Sequence, residues 1–198
     1  MPKKTLIIFA KQPKLGQVKT RLAQTIGDSK ALEVYEELLD ITESVTADLE
    51  AEKIVYWDQI PDSGHSYFQI GYKHSKQSSG DLGTKMANAF QYEFQKSKGK
   101  VLIIGTDCPY LKASIFLDAY KALEHSDFVI GPALDGGYYL LGMNEYLPFV
   151  FDGIPWSTDS VLTLTLENIK RNHFKCTLLE ELDDIDTIHE WEKWKKIR

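Results

Sequence analysis

Apolar runs bounded by turn-forming residues recur along the chain: TLIIFA (5–10), KIVYWD (53–58), YFQIGY (67–72), KVLIIG (100–105), DFVIG (127–131), YYLLGM (138–143) and CTLL (176–179). Their length and boundaries predict β-strands. VLIIG and LIIF are continuous rather than alternating, as strands covered on both faces should be. Between the runs lie helical patterns. Asp28 is placed as an N-cap for a helix carrying Leu32, Tyr35, Leu38, Leu39, Val45 and Leu49 at helical spacing, with acids between them. VKTRLAQTI begins another helix, and further ones are predicted over 83–97, 112–124, 157–171 and 184–195. Alternation of strand and helix predicts an α/β fold, a three-layer α/β/α arrangement around a mostly parallel central sheet. The 198 residues suit one domain spanning 1–198. PDSGHS and KQSSGD read as surface loops, and no internal repeat or linker interrupts the pattern.

Charge narrows the possible partners. Lys plus Arg number 23 against 29 Asp plus Glu, a formal net charge of −6, which argues against general attraction to nucleic acid or anionic membrane. Two cysteines, Cys108 and Cys176, make no disulfide framework and no metal-type spacing, so a reducing, cytoplasmic setting is expected. No apolar run approaches the length of a membrane span, and Lys3 and Lys4 precede too short a core for a secretory signal. A soluble protein is expected.

In open α/β sheets ligands collect beyond the carboxyl ends of the strands, and three strand-end loops here are unusual. The first, within FAKQPKLGQVKTRL, gathers Lys11, Lys14, Lys19 and Arg21 around Gly16. Cations at the start of a helix oppose its dipole by a few tenths of a kcal/mol, roughly, and a bound phosphate would reverse that sign. The loop therefore points to a polyanionic ligand, a solvated basic turn being the other reading. It lacks the GxxxxGK[ST] and GxGxxG spacings. In the second loop, IIGTDCPYL, Asp107 offers the hard oxygen that Mg²⁺ takes while leaving positions for water and phosphate; capping the next helix is the alternative. Cys108 beside it reads as a small buried hydrophobe. The third, GPALDGGYYLLGM, sets Asp135 before Gly136 and Gly137, either to complete a metal site or orient a hydroxyl, or as a tight turn between strands.

FAKQPKLGQVKTRLA (9–23), SGDLGTKMANAF (79–90), GTDCPYL (105–111), GPALDGGYYLLGM (131–143), IPWSTDSVLTLTL (154–166) and LDDIDT (182–187) together resemble a family of small bacterial proteins. These have the GT-A-like fold of the nucleotide-diphospho-sugar transferase superfamily, and include glycosyltransferases associated with arsenosugar biosynthesis. The resemblance implies that Ala10, Lys11, Gly16, Lys19, Thr20 and Arg21 wrap a nucleotide and its phosphates. It also implies that Gly80, Leu82 and Gly83 approach the base or ribose, and that Asp107 matches the aspartate of a DxD-type motif. Position 109 is Pro rather than a second acid, so Mg (or Mn) would rely on Asp107, on phosphate oxygens and on Asp135 or another distant carboxylate. Thr84 and Lys85 stand where Glu and Arg are expected. WSTDS would start a helix on the acceptor side with Ser157 as N-cap, and Asp159 would favour its dipole, a second metal ligand being the other reading. LDDIDT leads the C-terminal helix; its acids could reach the site, helix-start acidity being the other reading.

His65, His74, His125, His173 and His189 are scattered without zinc spacing. Trp191 and Trp194 read as packing residues, whereas Trp156 sits in a loop facing the acceptor with Gly136, Gly137 and Tyr138. Tyr138 and Tyr139 should point to opposite faces of a strand. Taken together, the expected activity is Mg-dependent glycosyl transfer from a nucleoside diphosphate-sugar to a small-molecule acceptor, with Asp107 and Asp135 as catalytic and metal-binding groups. Nucleotidyl transfer from an NTP to a phosphorylated small molecule is the alternative, followed by a noncatalytic nucleotide-binding module.

Overall fold

A computed structural model describes residues 3–62 and 66–197. His65 and the middle of PDSGHS lie outside them. In chain order the elements are β1 (Lys3–Ala10), α1 (Thr20–Ile26), α2 (Asp28–Thr46), β2 (Glu52–Trp57), β3 (Tyr72–Lys76), α3 (Leu82–Lys96), β4 (Gly99–Ile104), α4 (Ala113–Ala122), β5 (Phe128–Pro132), β6 (Tyr138–Met143), a 3₁₀ turn (Pro148–Phe151), α5 (Val161–Arg171), β7 (Cys176–Leu178) and α6 (Ile188–Lys195). The strands form one seven-stranded sheet in the order β3-β2-β1-β4-β6-β5-β7. All pairings are parallel except those of β6, which runs against both β4 and β5. Only five residues, 133–137, separate β5 from β6. That is too short for a crossover, so the two strands must run antiparallel.

The continuous apolar runs are the central strands, and their alternate residues feed two cores. On one face Leu6, Ile8, Leu102 and Ile104 pack with Tyr35 and Leu39 of α2 and Phe116 and Tyr120 of α4. On the other, Ile7, Ile54 and Ile103 pack with Met86 and Phe90 of α3 and Ile169 of α5. This is the three-layer arrangement expected of strands covered on both sides. Tyr139 joins the first core and Tyr138 borders the second, as their alternation requires. A smaller cluster, Leu22, Val34, Leu38, Ile185, Trp191 and Trp194, binds α1 and α6 to α2. Trp191 and Trp194 are thus packing residues.

Several boundaries differ from the sequence expectation. YFQIGY is not a strand: Phe68 and Gly71 take positive φ of 53° and 83°, and the strand begins at Tyr72. Phe68 and Tyr72 are buried and in ring contact, while Ile70 is 90% exposed. The apolar content of YFQIGY is thus a turn anchored at two points, and the strand itself, YKHSK, is a polar sheet edge of the sort that resists pairing with another chain. Gly27, with φ of 83°, occupies the N-cap of α2, and Asp28 is the first helical residue. Helix α5 starts at Val161 instead of 157, because Ser157 takes a left-handed φ of 67°. α6 starts at Ile188 instead of 184, with Thr187 and Glu190 forming a capping box.

The β3 edge is fastened by Glu52, which lies between Lys3 of β1 at 2.5 Å and Lys73 of β3. Hydrogen bonds from Lys3 and then Lys73 hold its carboxyl down at about 2, against an ordinary 4.5. A depressed carboxyl stabilises the fold above its unfolded pKa and loses that contribution as the pH falls through the folded value. Glu52→Gln should therefore lower stability by about 1 kcal/mol at neutral pH. Urea melts of both proteins should show the difference shrinking below pH 4.5 and closing near pH 2; a difference that persists at pH 2 would contradict the assignment.

Candidate functional site

Carboxyl ends of β1 to β4 and the amino end of the reversed β6 share one edge of the sheet, so the loops after them converge. They enclose a cavity of about 750 Å³, within the range of a small-molecule site. Its walls come from Ala10 at the end of β1 and Lys11 after it, Asp58 after β2, Gln77 after β3, Asp107 after β4, Asp135 and Gly137 between β5 and β6, and Tyr138 at the start of β6. Leu82 and Lys85 of α3, Trp156 to Asp159, and Asp184 and Asp186 close it.

The basic loop is shaped by two left-handed residues. Gly16, φ 73°, lies in a turn closed by a 3.0 Å bond from Gln17 N to Lys14 O, and is exposed. It does not line the cavity, so its glycine serves the turn rather than ligand approach. Val18 is buried, and Lys19 takes φ of 47° as the N-cap of α1. That geometry directs Lys19 inward. Its side chain is 4% exposed, its Nζ forms an ion pair with Asp107, donates to Ile185 O at 2.5 Å, and lies 3.5 Å from Asp186. Burial works against the Lys19 charge, but Asp107, and then Asp186 and Asp184, outweigh it and raise its pKa. Arg21 remains 71% exposed at the rim, 3.7 Å from Asp186, and Thr20 lines the cavity beside it.

Asp107 is half exposed, so its carboxylate is open to a ligand on the side away from Lys19. Its carbonyl accepts from Ile185 N at 2.9 Å, drawing residues 182–186 alongside in extended form, and Leu182 bridges to Ala133. Those contacts bring Asp184 and Asp186 to the cavity, the first of the two readings of LDDIDT, while the helix itself begins only at Ile188. Asp184 Oδ1 is buried without a hydrogen-bond partner among the described residues. Burial, and then the charges of Asp107, Asp135 and Asp186, push its carboxyl up to about 8, against the opposing pull of Lys19. Burial and the Asp184 charge likewise raise the neighbouring Cys108 thiol. Cys108 is a buried small hydrophobe, as expected.

Three carboxyl groups, Asp107, Asp184 and Asp186, thus face one buried ammonium, and with Asp135 on the same cavity they make an acid-rich floor suited to a hard cation. Among the described residues no group of three or more His, Cys, Asp or Glu could hold a metal alone. The donor set fits an ion that takes one or two carboxylates and completes its shell from phosphate and water.

The third loop divides its expected roles. Asp135 Oδ1 accepts from Gly137 N at 2.9 Å, and the exposed carboxylate and Gly137 line the cavity with Tyr138. Gly136 does not line it: with φ of 87°, a Cβ there would lie 2.2 Å from Asp159 O, and its carbonyl accepts from Leu162 N at 2.9 Å. Gly136 therefore packs the third loop against the approach to α5. Asp159, expected in a first helical turn, precedes α5 and lines the cavity.

Of Gly80, Leu82 and Gly83, only Leu82 lines the cavity. Gly80, φ 114°, would press a Cβ onto Thr84, and a Cβ on Gly83 would lie 2.2 Å from the Trp156 indole. Gly83 thus seats the ring that forms the wall. Asp81 caps α3 by accepting from Thr84 N at 2.8 Å.

Asp58 and Gln77 were missed, although both directly follow strands, the signal that identified Asp107. Asp58 had been placed inside its strand, and the misplacement of β3 hid Gln77.

The family of uncharacterized proteins conserved in bacteria, DUF2064, matches residues 41–158. The chain is similar to the crystal structure of a candidate nucleotide-diphospho-sugar transferase from Desulfovibrio desulfuricans, with 31% identity over 94% of this chain and 84% of that one, at a TM-score of 0.87. It is similar in fold to CMP:2-keto-3-deoxy-manno-octonic acid synthetase complexed with CTP, with a TM-score of 0.62 and 10% identity over 98% of each chain. It is also similar in fold to 4-diphosphocytidyl-2C-methyl-D-erythritol synthase from Anaerococcus prevotii, with a TM-score of 0.59 and 13% identity over 100% of this chain and 97% of that one. No curated protein matches the sequence. The described helices include none long and apolar enough to cross a membrane. With the family match covering more than half of its length, and a solved structure 31% identical over 94% of it at a TM-score of 0.87, the chain belongs to the DUF2064 family and has the nucleotide-diphospho-sugar transferase fold.

Proposed function

We propose that the chain is a nucleotide-utilising transferase that moves a glycosyl group from a nucleoside diphosphate-sugar to a small-molecule acceptor, with Mg²⁺ (or Mn²⁺) as cofactor. The observation that carries this reading is the convergence of Lys19, Arg21 and Asp107 on one cavity. The relative named as a candidate nucleotide-diphospho-sugar transferase supports the choice of donor. The chain itself is proposed to act as one domain.

In glycosyl transfer the bond from the sugar carbon to the β-phosphate oxygen breaks, and its electron pair passes to the phosphate. Groups fixed beside that oxygen stabilise the transition state more than the ground state. A bound divalent ion would supply Lewis-acid neutralisation of the diphosphate, held by Asp107 and Asp135. Arg21, exposed at the rim, offsets phosphate charge directly. Lys19 acts through Asp107, holding its carboxylate in place and balancing it when no ligand is present. Asp135 borders both the floor and the wall made by Gly137, Tyr138 and Trp156, which suits it either to share the ion or to take the acceptor hydroxyl's proton.

Nucleotide-sugars should raise the melting temperature more with Mg²⁺ than without it, since a ligand that prefers the native state stabilises it by mass action. Slow release of nucleoside diphosphate from a nucleotide-sugar supports glycosyl transfer. Pyrophosphate released from NTP and a sugar phosphate would instead identify nucleotidyl transfer. Nucleotide affinity indifferent to Mg²⁺, with no turnover, would leave a binding module.

Asp107→Asn should reduce turnover by about two orders of magnitude, a loss of transition-state charge stabilisation, while far-UV circular dichroism stays unchanged. Lys19→Gln leaves Asp107, Asp184 and Asp186 without their buried cation. We expect a stability loss of about 2 kcal/mol in urea melts at neutral pH, below the range for fully buried pairs because Asp107 and Asp186, which pair with it directly, are half exposed. An unaltered midpoint would remove Lys19 from its balancing role.

A further inference from the structure

Where the nucleotide's base lies follows from the sheet order. β2 and β3 stand two and three strands from β4, so Asp58 and Gln77 lie about 10 and 14 Å from the Asp107 end of the cavity. That span suits a nucleoside extending from a diphosphate at Asp107. The walls at this end include Phe9, Leu82 and Met86, apolar surfaces suited to a planar ring. The cations Lys19 and Arg21 stand at the Asp107 end, whereas Asp58 makes no ion pair among the described residues, so a ligand's phosphates are favoured there and its base toward Asp58.

The polar groups at this end are already paired in a way that leaves acceptors over. Lys11 N donates to Tyr35 Oη at 2.7 Å and Gln12 N to Asp58 Oδ1 at 2.7 Å, so the first two N–H groups of the loop are taken. Asp58 Oδ1 also accepts from Gln59 N at 2.6 Å. The Gln77 amide is fixed in sense: Nε2 donates to Ala10 O at 3.2 Å and Tyr56 O at 2.9 Å, and two carbonyls require that atom to be the nitrogen. Asp58 N donates to the same Ala10 carbonyl at 3.0 Å, which sets the two residues side by side. Asp58 Oδ2 and Gln77 Oε1 have no donor among the described residues.

We propose that Asp58 and Gln77 read the base by accepting from its edge and select guanine, making the donor a guanosine diphosphate-sugar; this rests on the nucleotide-transferase reading above. Guanine offers two adjacent donors, N1–H and the N2 amine, to two neighbouring acceptors. Adenine and cytosine offer one amine beside a ring-nitrogen acceptor, and uracil flanks its single N–H with two carbonyls, so each would face an acceptor with an acceptor. A polar group left unpaired in a site weakens binding strongly.

The test is titration calorimetry with GDP, IDP, UDP, CDP and ADP in Mg²⁺. GDP should bind at least about tenfold more tightly than the others, IDP included, because hypoxanthine lacks the N2 amine. Asp58→Asn keeps a carbonyl for Gln12 N and Gln59 N but replaces the free acceptor by a donor, so it should abolish the GDP preference with the fold retained. Equal affinities in the wild type, or an Asp58→Asn loss shared equally by all five nucleotides, as a ribose contact would give, overturns the base assignment while leaving the transferase reading intact. Binding of none of the five overturns both.

Discussion

The ion pair between Lys19 and Asp107 is the constraint on which the site depends. An ammonium withdrawn from water is costly unless its partners are close and its donors used, and here a carboxylate, a second carboxylate and the Ile185 carbonyl meet that need. These partners come from the end of β4 and from the extended segment before α6, while Lys19 opens α1. One side chain therefore joins three parts of the chain far apart in sequence. The cluster of Leu22, Ile185 and the two tryptophans lies on the same elements, so apolar packing fixes what the charges orient.

Reversal of β6 is the second determinant. Six parallel strands would bring only one end of each to the site, whereas the short β5–β6 connection contributes the loop that carries Asp135 and Gly137. Close packing at Gly136 ties that loop to the approach to α5 and hence to Asp159. The acidic floor is thereby assembled from the ends of β4 and β5 and from residues 184–186.

Much of this was legible in the pattern of residues. Continuous apolar strands required cover on both faces, and charges out of place at a helix start marked the basic loop. What escaped was tertiary. YFQIGY carries enough aromatic character for a strand, yet Phe68 adopts positive φ to reach the core, and the true strand is polar because it borders solvent. Asp184 and Asp186 fitted a helix's first turn as readily as the site, because sequence alone did not show that Ile185 N would bond to Asp107 O. Gly80, Gly83 and Gly136 each meet protein atoms on the side where a Cβ would stand, and Gly136 also takes the positive φ that a glycine there allows. A missing side chain signals close approach, but not by what.

The seat of Trp156 on Gly83 couples two stretches separated by more than seventy residues. An indole lying against bare backbone leaves no room for a side chain beneath it. The span of the hollow on its far side is consequently set in part by the thickness of an aromatic ring, and a bulkier residue at this helical position would push that wall inward and narrow it.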